Sequence, residues 1–321
     1  MHPTSPVDVK LRTVGELTEV MLNVGFQGRK LAEAVEVWTR MLKENVTIFM
    51  GLSGAMVPAG MRKLIAFLIQ HQLIDCLVST GANVFHDCHE ALGNSHYVGT
   101  HKVNDVELCK LGIDRIYDIF AYEQKFEATD WLVNDFAMTL STKSYSSAEF
   151  MSLLGEHVEK VGGASDSIIV SAYKHDIPLF VPALCDSSIG LSLYLAKLSG
   201  KDVLIDHIED IRKITDIVRG SESSGVIYVG GGVPKNFIQQ TAMAIKIASG
   251  GDEEYGHDYA IQFTTDSPQW GGLSGCTFEE AVSWGKVRER AQKVQVFVDA
   301  TIALPIVVHA IAENLGLSKD I

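Results

Sequence analysis

The feature that most constrains this chain is a unit that recurs along it: a short apolar, β-branched run stops at glycine or other small residues, and helical spacing follows. Val46-Thr-Ile-Phe-Met50 stops at Gly51-Leu-Ser-Gly54 before a helical pattern from Met61. Ile74 to Thr80 stops at Gly81, Leu179 to Val181 at Pro182-Ala-Leu-Cys-Asp186, and Val226 to Val229 at Gly230-Gly-Gly232. Ile168 to Val170, Val203 to Ile205, Tyr259 to Phe263 and Val294 to Val298 are further predicted strands. Strands separated by helices imply parallel pairing, so the expected fold is α/β: a Rossmann-like, mostly parallel sheet with helices on both faces. Ligands of such sheets bind at the carboxyl ends of the strands.

Ahead of the first strand, Leu17, Met21, Leu31, Val35 and Leu42 keep helical spacing, broken by Gly25-Phe-Gln-Gly28. Residues 1–45 therefore read as N-terminal helices around a glycine turn, and residues 46–321 as the α/β core of a single large domain. The polar stretch Gly250 to Gly256 reads as a surface loop. With 46% hydrophobic and 21% charged residues, the chain has globular composition with material for a substantial core. A net charge of −13 argues against nonspecific nucleic-acid binding, which needs a basic surface, and would steer a cationic substrate favourably. No apolar run is long enough for a membrane span and the N-terminus lacks signal-peptide order, so a cytoplasmic location is expected. The five scattered cysteines contain no C-x-x-C pair and read as reduced thiols.

Three segments carry candidate chemistry. Gly230 to Gly232, between a strand and a helix, let the backbone turn sharply and approach a ligand, though an ordinary strand-to-helix turn has the same look. Asp299 ends the strand Val296-Phe-Val before an apolar helix; it is a ribose acceptor or a helix N-cap, and Asp186 carries the same ambiguity. Lys286 lies beside Trp284 and Gly285 with Glu279 and Glu280 nearby. A desolvated lysine is a nucleophile, while a lysine on a helix surface is the plainer reading. Phe85-His-Asp-Cys-His-Glu90 puts His86 and His89 on one face if helical, a candidate metal site weighed against His86 facing substrate and His89 and Glu90 serving structure; nothing in the sequence places His96 or His101 near them.

Ala281-Val-Ser-Trp-Gly-Lys-Val-Arg288 closely resembles the segment bearing the imine-forming lysine of deoxyhypusine synthases. Gly25-Phe-Gln27, Ile48-Phe-Met-Gly51, Ser79-Thr80, Trp131-Leu132, Pro182-Ala-Leu-x-Asp186, Gly230-Gly-Gly-Val233 and Val298-Asp-Ala300 follow in the family's order. The resemblance implies NAD as cofactor, a homotetramer with active sites between paired subunits, and no metal. It places cofactor contacts at Ser53, Gly54, Thr80, Gly81, Asp186, Gly230, Gly231, Gly232, Thr265, Asp299 and Ala300. Lys286 would be catalytic with Glu280, while His86, Asn236, Ser274 and Trp284 would meet the substrate. The implied chemistry passes hydride from a carbon beside a secondary amine to NAD, captures the imine on the lysine and hands the alkyl group to a second amine.

The sequence departs from the family where a polyamine is recognised. Phe85 and His86 replace paired acids, Leu191 and Leu273 replace aspartates, and Asn236 replaces a histidine. Fewer carboxylates weaken the grip on ammonium groups, so the expected activity is aminoalkyl transfer with an altered amine tunnel, as in deoxyhypusine synthase-like proteins. The substrate is a polyamine or related amine, and a protein lysine is one candidate acceptor. A homospermidine-type synthase acting on small diamines, a non-catalytic NAD-binding protein and an ordinary dehydrogenase are the alternatives. Lys286, Glu280 and Trp284 together speak for chemistry, and only the dehydrogenase predicts net NADH release.

Overall fold

The computed structural model describes residues 3–251 and 255–317, so Asp252 to Glu254 of the predicted surface loop lie outside the described residues. The chain groups into two compact units. One comprises residues up to Leu52, Leu73–Asp75 and Ile211 onward; the other comprises Ser53–Gln72 and Cys76–Asp210.

The first unit holds parallel strands in the order Val287–Phe297, His257–Thr264, Ser224–Val229, Thr47–Leu52. Ser224–Val229 is buried at every residue and His257–Thr264 at all but Asp258, which is why they read as apolar runs rather than alternating ones. Side chains three apart on a strand point to opposite faces. A Cβ at Gly225 would meet Met41 of the Phe26–Lys43 helix, whereas the Tyr228 ring lies 5.9 Å from the Lys235 ammonium of the Gly232–Ala248 helix. Helices thus cover both faces, as the strand and helix grammar predicts. The predicted N-terminal pair is present as Val14–Met21 and Phe26–Lys43, with Thr13 and Glu16 forming a capping box on the first.

The second unit pairs Cys76–Ser79 with Leu179–Phe180 in parallel. It also contains an antiparallel sheet of Tyr97–Val98, Ile119–Tyr122 and Ile113–Ile116, and a short parallel pair of Ser144–Tyr145 with Leu204–Ile205. One predicted strand is wrong: Ile168 to Val170 opens the helix Ile168–Lys174. Ser167 caps it, and buried Asp87 accepts from Ile168 N, Ile169 N and Ser167 Oγ at 2.9, 2.8 and 2.7 Å. A distant carboxylate satisfying orphan helix N–H groups overrides the local β-branched preference. Among the described residues no helix is long and apolar enough to cross a membrane.

The helix Ser147–Lys160 packs closely on this capped helix at Gly155, where a Cβ would fall 2.5 Å from the Ile169 carbonyl oxygen and 2.9 Å from Tyr173 Cβ. Alanine normally gains about 1 kcal/mol over glycine in a helix, but overpacking costs about 1–3 kcal/mol and here the obstacle is backbone. Gly155→Ala should therefore lower the urea midpoint of unfolding; an unchanged or higher midpoint would show that the helices can part without cost.

Candidate active site

The parallel register brings three predicted residues side by side. Val229 pairs with Phe263 and Thr264 with Phe297, so the next residues along each strand, Gly230, Thr265 and the Val298-Asp299 pair, line one carboxyl edge. Gly230 and Gly232 take left-handed φ values of 73° and 59°, which glycine adopts without strain. Their N–H groups donate to Phe263 O at 2.8 Å and Ser274 Oγ at 3.0 Å. A Cβ at Gly231 would sit 2.4 Å from Ser274 Cα. The turn's small size is thus demanded in the first place by the Ser274 segment packed on it. Asp299 is the N-cap of Ala300–Asn314 and is exposed; its Oδ1 accepts from Thr301 N at 2.8 Å and Thr301 Oγ1 at 2.6 Å. Among the described residues Oδ2 has no partner, so one carboxylate serves the cap and still offers an acceptor.

Lys286 does not lie on a helix. The helix Phe278–Ser283 ends in a Schellman turn, with Gly285 N bonded to Val282 O, Lys286 N to Ala281 O and Gly285 at φ 69°. This turn delivers Lys286 just before the Val287–Phe297 strand. Lys286 Nζ donates to Asn236 Oδ1 at 3.2 Å and stands 5.4 Å from the Trp284 ring centroid. Asn236 is aimed by its own amide, which donates to Gln240 Oε1 at 2.6 Å. Trp284 is 58% exposed, and Glu280 is exposed on the same short helix.

Beneath this turn lies a residue the motifs did not single out. Lys235 is fully buried and donates to Gln262 Oε1 at 2.9 Å and Cys276 O at 2.7 Å. Burial pulls its ammonium down to about 8, opposed by Cys276 and Glu280 and reinforced by the charge of Lys286. The sequence signal was present: Lys235 stands on the stripe of Ile238, Ala242 and Ile245 that faces the core, where a lysine needs partners. Burial, aided by Glu280, also pushes the Cys276 thiol upward.

In the second unit Asn83 gathers four predicted cofactor residues. Its amide donates to Gly54 O at 2.8 Å and Thr80 Oγ1 at 3.2 Å, and its carbonyl accepts from Met56 N and Val57 N. Ser53 and Gly54 are thereby held against Thr80 and Gly81. A Cβ at Gly81 would fall 2.3 Å from Ser187 Oγ, which brings in the segment of Asp186. Ser187, not Asp186, caps the helix Ser188–Leu198, leaving Asp186 exposed in the turn between the Leu179–Phe180 strand and that helix.

His86 and His89 both lie on the helix Gly81–Ala91, and both rings approach Phe126, with centroids 5.3 and 4.7 Å away. His96 joins them and His101 does not; the latter stacks on Tyr117 at 5.2 Å. Among the described residues no three His, Cys, Asp or Glu side chains are grouped to hold a metal ion.

The sequence profile described as deoxyhypusine synthase matches residues 16–311. A Methanosarcina acetivorans protein named "Probable deoxyhypusine synthase 2" is 62% identical over 98% of this chain and 90% of its own length. A "Deoxyhypusine synthase-like protein" of Chlorobaculum parvum is 35% identical over 95% of this chain and 88% of its own. The crystal structure of a candidate deoxyhypusine synthase from Entamoeba histolytica superposes with a TM-score of 0.64 at 19% identity, over 92% of this chain and 91% of that one, which speaks to the fold.

Burial holds His86 down at about 3, and His89 and His257 at about 4, all below the roughly 6.5 of an unfolded histidine. Between those values the folded protein binds fewer protons than the unfolded chain, so stability is lost as pH falls from about 6.5 towards 4. Asp87, raised by burial to about 6, acts in the opposite sense with a smaller displacement. Urea midpoints should therefore fall between about pH 7 and about pH 4.5; a flat or rising profile would mean these rings are not held neutral.

Proposed function

The chain belongs to the deoxyhypusine synthase family, transferases of aminoalkyl groups, and on that footing we propose that it works through an imine on Lys286 with NAD as hydride carrier. The observation that carries the reading is the setting of Lys286. It projects from a fixed turn, is hydrogen-bonded by a neutral amide rather than paired with a carboxylate, and has the Lys235 ammonium beneath it. A lysine amine is the group that attacks an imine carbon, and among the described residues no carboxylate is paired with this one. Trp284 covers the amine on one side, and the Asn236 carbonyl fixes its direction.

The first unit's strand edge fits a dinucleotide by its donor set: the open Asp299 Oδ2 suits a ribose hydroxyl, with Thr265 and the glycine turn beside it. NAD would accept hydride from the carbon next to the substrate nitrogen and later return it. In the second unit the predicted contacts Ser53, Gly54, Thr80 and Gly81 are gathered by the buried Asn83 side chain. Near the Ser274 turn Leu273 is 37% exposed where a carboxylate would grip an ammonium. This supports a donor amine with fewer or differently placed cationic ends than spermidine, handed to a protein lysine or to a small diamine. The exposed Trp270 and Trp284 support an assembly of chains, a homotetramer in this reading, that covers them.

Two substitutions separate the roles. Lys286→Ala should abolish transfer without release of NADH, while NAD affinity stays within about threefold. Asp299→Ser keeps a capping oxygen but removes the open one, and should weaken NAD at least about tenfold, the loss of one hydrogen bond to a charged group. Kinetics and a fluorescence titration read both. A Lys286→Ala protein that retains transfer would reject the covalent route, and unchanged affinity in Asp299→Ser would remove Asp299 from the cofactor site.

A further inference from the structure

In the first unit one helix begins on a strained residue. The helix Phe26–Lys43 starts after Gly25, an extended N-cap with no side-chain hydrogen bond, where Ser, Thr, Asp or Asn would supply one. Its first residue, Phe26, takes φ 56°, in the left-handed region that a bulky side chain rarely enters. Asn45 reaches the same region at φ 53°, as asparagine commonly does. Packing does not offset the strain, because Phe26 is 91% exposed. Gln27 holds the start in place: its Oε1 accepts from Phe297 N at 2.7 Å, which fixes Phe26 beside the end of the strand that leads into Asp299. Phe297 is partly exposed there, and Ile302, one helical turn beyond Asp299, is exposed as well. Strained residues of this kind collect at ligand sites.

We propose that Phe26 is the platform on which the adenine of the dinucleotide stacks, extending the cofactor site outward from Asp299. The inference rests on the NAD reading above and concerns which ring the first unit holds. Asp299 offers its open oxygen to a ribose hydroxyl, the contact that an acid after a strand makes with the adenosine ribose in dinucleotide-binding sheets. The base carried by that ribose then falls next to the segment that Gln27 pins. A base presents a flat π-face, and an exposed aromatic ring is its natural partner. Adenine fits this place better than nicotinamide, because hydride transfer needs a ring closed off from water, whereas Phe26 stands almost wholly in solvent. A second copy of the chain is the other candidate cover. Phe26, Phe297 and Ile302 together leave roughly 400 Å² of apolar surface open, about half of the roughly 800 Å² per partner that a stable interface buries. One stacked base needs far less.

Equilibrium titrations of the intact protein, followed by fluorescence or calorimetry, separate the ring from the backbone. Phe26→Ala should weaken NAD and ADP-ribose about tenfold, the loss of one base–aromatic stack, and leave nicotinamide mononucleotide within about twofold. Phe26→Trp keeps a stacking face and should hold NAD within about threefold. Phe26→Gly removes the ring but suits the left-handed backbone, so the urea midpoint of the cofactor-free protein should rise while NAD weakens as in Phe26→Ala. A ring that serves the fold alone would move both measurements downward together, and that result would overturn the proposal. A loss confined to nicotinamide mononucleotide would overturn it too. So would unchanged NAD affinity in Phe26→Ala; a smaller particle in sedimentation would then give the ring to a contact between copies. Wild-type protein that binds no NAD would instead sink the cofactor reading on which the proposal rests.

Discussion

The candidate site in the first unit hangs on one buried amide. Gln262, in the middle of the His257–Thr264 strand, uses its full hydrogen-bonding capacity. Its Nε2 donates to Gly230 O and Ser274 O, both at 2.8 Å, and its Oε1 accepts from Lys235 Nζ at 2.9 Å and Gln295 Nε2 at 3.0 Å. The glycine turn, the segment packed on it, the buried lysine and the neighbouring strand are therefore tied to one side chain. A buried polar knot of this kind is stable only when complete, since each unmet group costs about 1–3 kcal/mol. That completeness allows a lysine to sit in the core at all.

Electrostatic consequences follow outward from this knot. Lys235 brings a partly retained positive charge under the turn that carries Lys286, and Asn236, the next residue along the same helix, supplies the neutral acceptor for the Lys286 amine. One helix N-terminal turn thus contributes both the like charge and the aiming group. The same economy holds in the second unit, where Asn83 organises a loop and a helix start, and Asp87, four residues on, caps another helix. In both units the positions proposed to meet the cofactor are backbone or short side chains, and the residues that hold them include the buried amides Asn83 and Gln262.

Much of this was legible from residues alone. The strand, glycine turn and helix around Gly230 were predicted because apolar run, turn chemistry and helical spacing agree there. Family resemblance, rather than spacing, singled out Lys286, and the expected helix surface proved to be a Schellman turn because Gly285 takes the left-handed conformation. Ile168 to Val170 misled because the decisive partner, Asp87, lies far away in sequence and no local pattern reports it. Lys235 was visible as a charged residue on an apolar stripe, but its meaning needed Gln262 and Cys276 to be brought beneath it. His96 could be joined to His86 only by the path of the chain after Leu92. Asp186 read as a ribose acceptor or a helix N-cap, and the geometry gives the cap to the next residue, Ser187.

The proposed chemistry depends most on Lys286 becoming covalently attached to the substrate carbon, and reductive trapping reads that event directly. Protein incubated with NAD and spermidine, or with whichever amine it turns over, is quenched with borohydride, digested and mapped by mass spectrometry. The prediction is an aminoalkyl group on the peptide containing Lys286, absent without NAD. Turnover of an amine that leaves Lys286 unmodified, or an adduct confined to Lys235 or another lysine, would contradict it.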